Sequence, residues 1–333
     1  MNIDACVSLA ASIVAAGAAA PLSRRLPPRA ATWTITIAGV VLATTGMATL
    51  ALLATGGVLE SPRVAALAHV SVRFLRRMQP PESVAEAAGA VLVASVCGAV
   101  YVLVRQVLAL RAAARTADEL PGSGLVSLIE DDETIDAFAL PGRPGRIVVS
   151  AGMLAVLEQR EREALIAHER AHLDCRHHLF RAAVRVASAA NPLLWPLRPA
   201  VVFASERWAD ERAASTVGDR HCVAHAIAKA AIAGRFDRAY PAALGFGSWG
   251  RKRPGPVPRR VQALLKPPPH RRRPEIALAV AGLLLTVAAV QEQAADLHEL
   301  VDIAQTDSRQ IQAAGHHPVT RVPSGQVLTT DVR

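Results

Sequence analysis

His168-Glu169-Arg170-Ala171-His172 sets two imidazoles four residues apart, with a carboxylate directly after the first. On an α-helix, positions i and i+4 project from one face. His168 and His172 can therefore hold one Zn2+ between them, with Glu169 beside the water such an ion would bind. Zinc brings the pKa of its water toward about 7 and a neighbouring carboxylate can take the proton, so the chemistry on offer is peptide hydrolysis. The same spacing also arises by chance in histidine-containing helices, and alone it leaves both readings open. A catalytic zinc of this kind needs a third protein ligand and an open fourth position. Ser205-Glu206-Arg207-Trp208-Ala209-Asp210-Glu211-Arg212 can supply the ligand. Glu206 and Asp210 share a helix face, so Glu206 can complete the set while Asp210 orients a ligating histidine through its other ring nitrogen. Arg212 is a candidate for polarising the scissile carbonyl or stabilising the tetrahedral oxyanion. A solvent-facing helix with i,i+4 ion pairs is the plain alternative for this stretch. His177 and His178 read as packing or surface residues more readily than as part of a substrate cleft, and His221, His225 and His270 have no motif around them.

These residues sit in a segment, 118–266, that is patterned like a folded domain. LVSLIEDD at 125–132 and RIVVSAG at 146–152 are rich in β-branched residues and flanked by Pro-Gly turns, which predicts short strands. Residues 152–180 change to a helical rhythm carrying the two histidines. Asn191 and Pro192 interrupt an apolar stretch, Pro199 precedes the helix with Glu206, and 220–234 is helical again. From 248 to 275 the chain is rich in Pro and Arg and reads as irregular, apart from a short helix near RRVQALL at 259–265.

The surrounding composition is that of a membrane protein. Apolar residues make up 51% of the 333, yet the formal charge is +9; mean hydropathy is +0.26 and the pI about 10.3. Uncharged runs alternate with basic ones, as when Lys and Arg collect on the cytoplasmic side. The arginines are scattered over several loops, and only four Trp, two Tyr and six Phe could stack on bases, so direct nucleic-acid binding is not expected. Cys6, Cys97, Cys175 and Cys222 form no CxxC pair and suit a reducing compartment. Spans are predicted at 5–23, 33–57 and 87–108. The first is not a typical signal peptide, since its arginines, Arg24 and Arg25, follow the apolar run. A fourth apolar run, 276–290, covers roughly 22 Å at roughly 1.5 Å per residue and crosses only with help from its flanks. The charge distribution puts the N-terminus outside, 118–266 in the cytoplasm and the more acidic tail, 292–333, outside. Arg63, Arg73, Arg76 and Arg77 oppose that orientation, and 61–85 is read as an amphipathic segment lying on the surface. Arg271, Arg272 and Arg273 in the basic linker are expected to meet anionic lipid headgroups. The expected organisation is a membrane domain at 1–117, a cytoplasmic peptidase domain at 118–266, a linker and fourth helix at 267–291, and a short extracytoplasmic tail.

HERAH followed by SERWADERAA resembles the membrane zinc peptidases of the BlaR/MecR type, the beta-lactam-sensing antirepressors. It is also similar to the related prenyl-protein and heat-shock membrane peptidases. Asp136-Ala137-Phe138-Ala139-Leu140-Pro141-Gly142, then Arg146-Ile147-Val148-Val149-Ser150, resembles the NAFxxPG…IVV element that precedes the catalytic helix in both groups. Good resemblance covers roughly 120–265. It implies an α+β fold, a polytopic α-helical membrane protein with a gluzincin-like zinc metallopeptidase domain. By the same resemblance His168, His172 and Glu206 are the zinc ligands, Glu169 the catalytic base and Asp210 the acid behind a ligand. It further implies that Ile147, Val148, Val149 and Ser150 form an edge strand that pairs with an extended protein or peptide substrate. Three spans before the peptidase and one after favour the antirepressor arrangement, whose substrate is a winged-helix transcriptional repressor. The chain departs from the sensors after Val290, where 291–333 is too short for a penicillin-binding domain and Ser308-Arg309-Gln310-Ile311 is not an SxxK nucleophile. Covalent sensing of a beta-lactam is therefore not expected. The expected activity is a membrane zinc endopeptidase; a broad quality-control protease and a non-catalytic transmembrane signalling scaffold stand as alternatives.

Overall fold

The computed structural model describes residues 3–59, 82–120, 122, 124–129, 135–233, 256–267 and 273–315. Three long helices come first: α1 (Ile3–Arg25), α2 (Pro28–Leu59) and α3 (Glu82–Glu119). Their stretches Cys6–Arg25, Pro28–Thr55 and Ser83–Glu119 are long and apolar enough to cross a membrane, which makes the protein multi-pass. Pro28 opens α2, where its missing N–H costs nothing, and Arg24 and Arg25 complement the C-terminal dipole of α1. α3 outruns its apolar centre by several turns, because the flanking Ala, Glu and Arg residues are good helix formers. The amphipathic surface segment expected at 61–85 falls outside the described residues up to 81, as do His270, Arg271 and Arg272.

Three short strands follow: β1 (Val126–Ile129), β2 (Ala137–Leu140) and β3 (Arg146–Ser150). They form one sheet in the order β1-β3-β2, with β1 parallel and β2 antiparallel to β3. This corrects the expectation that Ile147, Val148, Val149 and Ser150 are a free edge. β3 is the middle strand, and all five of its residues are buried. An unbroken apolar run is what burial on both sides demands, whereas an edge strand tolerates alternation. Ser150 is further committed: its Oγ accepts from Met153 N at 3.1 Å, capping α4 (Ala151–Val156), and from Asp136 N at 3.1 Å. Arg146 ties the sheet to the chain before β1 by donating to the carbonyls of Gly122 and Gly124.

The helices that carry the chemistry are α5 (Gln159–Asp174), α6 (His177–Ala190) and α7 (Leu197–Val217), with a 3-10 turn at Pro192–Leu194 between the last two. α8 (Arg220–Ala233), α9 (Pro256–Leu264) and α10 (Arg273–Gly315) complete the described chain. α5 opens on a capping box between Glu158 and Glu161. Arg176, at φ 51°, turns the chain from α5 into α6, and Gly218, at φ 73°, ends α7 in the left-handed conformation that glycine adopts without strain. α10 packs along α1 and α2 and runs unbroken past 290, where the sequence predicted the end of a short span.

Two apolar cores result. The first joins α1, α2, α6 and α7 through Leu26, Ile35, Leu42, Val184, Leu197 and Val201. The second joins β3, α4, α5, α7, α8 and α9 through Ile147, Met153, Ala164, Ala213, Val223 and Leu264. α7 belongs to both, and Glu206 and Asp210 fall between its two apolar ends. The α6–α7 pair reaches far along α2: a Cβ on Gly39 would stand 3.2 Å from Leu197 Cδ2, so a small residue is what permits the approach. Near the turn, Asn191 Nδ2 donates to Ser12 Oγ of α1 at 3.1 Å. At the other end, buried Arg207 donates to the carbonyls of Ser23 at 2.7 Å and Arg24 at 3.2 Å, satisfying acceptors that the end of α1 leaves open.

Candidate metal centre

α5 and α7 pack side by side, and each turns a pair of residues spaced by four toward the other. From α5 come His168 and His172; from α7 come Glu206 and Asp210. His168 Nε2 and His172 Nε2 stand 3.2 Å apart. The Glu206 carboxylate straddles them, Oε1 lying 3.5 Å from His172 Nε2 and Oε2 3.6 Å from His168 Nε2. Zn–N and Zn–O bonds of about 2.0–2.2 Å at tetrahedral angles put neighbouring ligand atoms about 3.4 Å apart. Each ring nitrogen has one Glu206 oxygen near that spacing, a different oxygen for each histidine, and the donor set of two imidazoles and one carboxylate is zinc's own preference. The cofactor is Zn2+, held by these three residues.

The surroundings orient the ligands. His168 Nδ1 faces Asp210 Oδ1 at 3.0 Å, leaving Nε2 for the ion. His172 Nδ1 lies 2.8 Å from His177 Nδ1. With His172 Nε2 serving the metal, Nδ1 carries the proton and donates it to His177. Burial pulls the pKa of His172 down to about 2 and that of His177 to about 4, so both are neutral, as this arrangement requires. His177 is fully buried against the Trp208 ring, at 4.9 Å between centroids. His178 is half-buried nearby, and His221 and His225 are exposed on α8.

Two arginines that the sequence did not single out shape the site. Arg260 of α9 donates from Nε to Asp210 Oδ2 at 2.8 Å and from Nη2 to Asp210 Oδ1 at 2.6 Å, while Nη1 pairs with Glu206 Oε2 at 2.7 Å. One planar fork thus clamps both carboxylates of α7. Arg181 of α6 donates to Glu206 Oε1 and to Ser205 Oγ. Burial alone would raise the Glu206 carboxyl, but Arg260 and then the imidazoles outweigh it and hold it well below the usual carboxylate range. Asp210 is held down against burial by the Arg260 charge and hydrogen bonds. Glu169 has no such fork; burial pushes it up to about 7, against the opposing charge of His168.

Arg212, expected at the reaction centre, is exposed. Two residues past Asp210, it leaves α7 on the far side from the metal ligands, and the cations at the centre are Arg181 and Arg260 instead. The signal for Arg260 was present: it shares a face of α9 with Val257, Val261 and Leu264, and a charge on an apolar face needs a buried partner. Arg181 stands one turn beyond His177 on α6, a link visible only once His177 is known to face the ligands.

Residues 102–267 of the chain match peptidase family M48. No curated protein matches it, and no solved structure does.

Proposed function

The matched region, residues 102–267, belongs to peptidase family M48, and from that premise we propose an endopeptidase that cuts cytoplasmic or membrane-proximal proteins, with a winged-helix transcriptional repressor as its regulatory substrate. The observation that carries the reading is the cluster of His168, His172 and Glu206, whose ligand atoms lie within 4.8 Å of one another, beside the Glu169 carboxyl that burial raises to about 7. Zinc supplies Lewis-acid activation of water and of the scissile carbonyl. Glu169 takes the proton as water oxygen bonds to the carbonyl carbon and the carbonyl π pair moves to oxygen. When the C–N bond breaks, Glu169 returns that proton to the departing amine. A carboxyl with a pKa of about 7 suits both transfers.

The repressor reading draws on the span arrangement and on the resemblance to antirepressors, and the positive-inside pattern supports a cytoplasmic site at 118–266. Segments 1–117, 267–291 and 292–333 would then be membrane domain, linker with fourth helix, and external tail. A protease of this kind leaves one dominant cleaved protein when wild-type cells are compared with inactive-variant cells; many unrelated products would identify quality control instead. For the chemistry, the full chain in detergent should carry close to one zinc and cut casein, and His172→Ala should lose both. Zinc retained in His172→Ala at the wild-type level would sink the ligand assignment.

β2, rather than β3, offers the backbone for an extended substrate. Ser150 N donates to Asp136 O at 3.1 Å, and the register pairs Ala137 with Val149 and Ala139 with Ile147. Hydrogen-bonded and non-bonded pairs alternate along an antiparallel ladder, so the amide groups of Ala137 and Ala139 point away from β3. Among the described residues β2 has no other strand beside it, and it packs along α5. Ala139→Pro removes an outward N–H without touching the β3 ladder. It is expected to lower kcat/KM by about 10-fold, the loss of one hydrogen bond, with zinc content and Tm unchanged. An unaffected kcat/KM would place the substrate elsewhere.

A further inference from the structure

Peptide hydrolysis puts negative charge on the former carbonyl oxygen, and a preorganised cation or donor facing that charge contributes most to the rate. Arg212 is exposed on the far side of α7 and does not reach it. Two guanidinium groups do lie at the centre, and they differ in what they have left to give. The Arg260 side chain is 12% exposed, and Nε, Nη1 and Nη2 are all engaged by Asp210 and Glu206. The Arg181 side chain is 28% exposed. Its Nε and Nη2 are steadied by Ser205 Oγ at 3.2 Å, and Nη2 also reaches Glu206 Oε1, the oxygen nearer His172. Nη1 has no partner among the described residues. Through Nη2 the Arg181 guanidinium touches the metal-ligand carboxylate itself, which sets it beside the ligand cluster with one edge still open.

We propose that Arg181 is the oxyanion-binding catalytic residue, its open guanidinium edge meeting the scissile carbonyl oxygen as that oxygen becomes negative. The inference rests on the endopeptidase reading above. The step adds no co-reactant: the π pair that moves to oxygen when water attacks is met by Arg181 N–H, and it returns to re-form the carbonyl as the C–N bond breaks. An arginine suits the position because it never loses its charge and because a planar fork can grip Ser205 and Glu206 with one edge while presenting another. Held in place before substrate arrives, it needs no rearrangement when the charge develops.

The test uses the full chain in detergent, an internally quenched peptide copied from a casein site that the wild type cuts, and a phosphinic isostere of that peptide. In Arg181→Gln, assayed with zinc in excess so that the site stays filled, kcat is expected to fall by about 10²–10³ with KM held. Calorimetric binding of the phosphinic peptide, whose tetrahedral anion mimics the charged state, should weaken by a similar factor while binding of the cleaved product does not change. Arg181→Lys guards against a role confined to holding Glu206, since an ammonium keeps the ion pair but lacks the second edge. If Arg181→Lys keeps zinc and Tm yet stays slow and binds the phosphinate weakly, the proposal stands. If it regains wild-type kcat, or if neither variant changes phosphinate affinity, Arg181 only positions Glu206 and the proposal falls. A wild type without zinc or peptide cleavage would instead overturn the endopeptidase reading, before any variant is compared.

Discussion

Glu169→Gln is expected to remain folded and zinc-loaded while losing hydrolysis by about 10²–10⁴-fold, the range a positioned proton carrier contributes. The substitution keeps the shape of the side chain and removes its basicity. Glu169 is absent from the ligand triangle of His168, His172 and Glu206, so metal content should match the wild type. Burial already pushes the Glu169 carboxyl up to about 7, which means the ionised form is costly in that place. A neutral amide escapes this cost, and Tm should therefore hold or rise slightly. Zinc analysis, a melting curve and turnover of the same quenched peptide settle the matter together. Turnover within a few fold of wild type would remove Glu169 from the proton path.

Arg260→Met is expected to damage the centre through the two carboxylates of α7. The variant leaves Asp210 and Glu206 buried without the fork that neutralises them. Taking one partner from a buried pair costs about 3–5 kcal/mol, because the other charge stays in place unsolvated. Asp210 then holds His168 less firmly, and loss of such an orienting contact typically weakens a metal site by about 10–100-fold. Chelator competition should show the weaker zinc binding, and thermal denaturation should show the lower stability. Arg260→Lys should recover only part of each, since one ammonium cannot bridge two carboxylates in the manner of a bidentate fork. A melting temperature unchanged in Arg260→Met would show that the clamp does not matter for stability.

The parts of this protein that were legible in its sequence are those set by local periodicity. Spacing by four predicts that His168 and His172 share one face and Glu206 and Asp210 another, and the structure brings the ligand atoms of His168, His172 and Glu206 within 4.8 Å of one another. Apolar runs likewise announced three long helices. What failed depends on packing between distant segments. IVV reads the same in a middle strand as in an edge strand, and only the pairing of both β1 and β2 with β3 reveals which it is. Arg212 follows Asp210 by two residues, and that spacing along a helix turns its side chain away from the face that carries Glu206 and Asp210. Arg181 and Arg260 arrive from helices on either side of α7, 25 residues before Glu206 and 50 after Asp210. No rule of spacing reaches that far.

α7 has one apolar end among the N-terminal helices and the other beneath the sheet. A fragment beginning at residue 118 would carry every ligand and still present Val184, Leu197 and Val201 to water, where α1 and α2 had covered them. Arg207 would lose the Ser23 and Arg24 carbonyls that hold its guanidinium. Scissors of this design cannot be detached from their handle. The metal centre and the N-terminal helices share one core, so a chain stripped of α1 and α2 is expected to lose zinc binding and stability together.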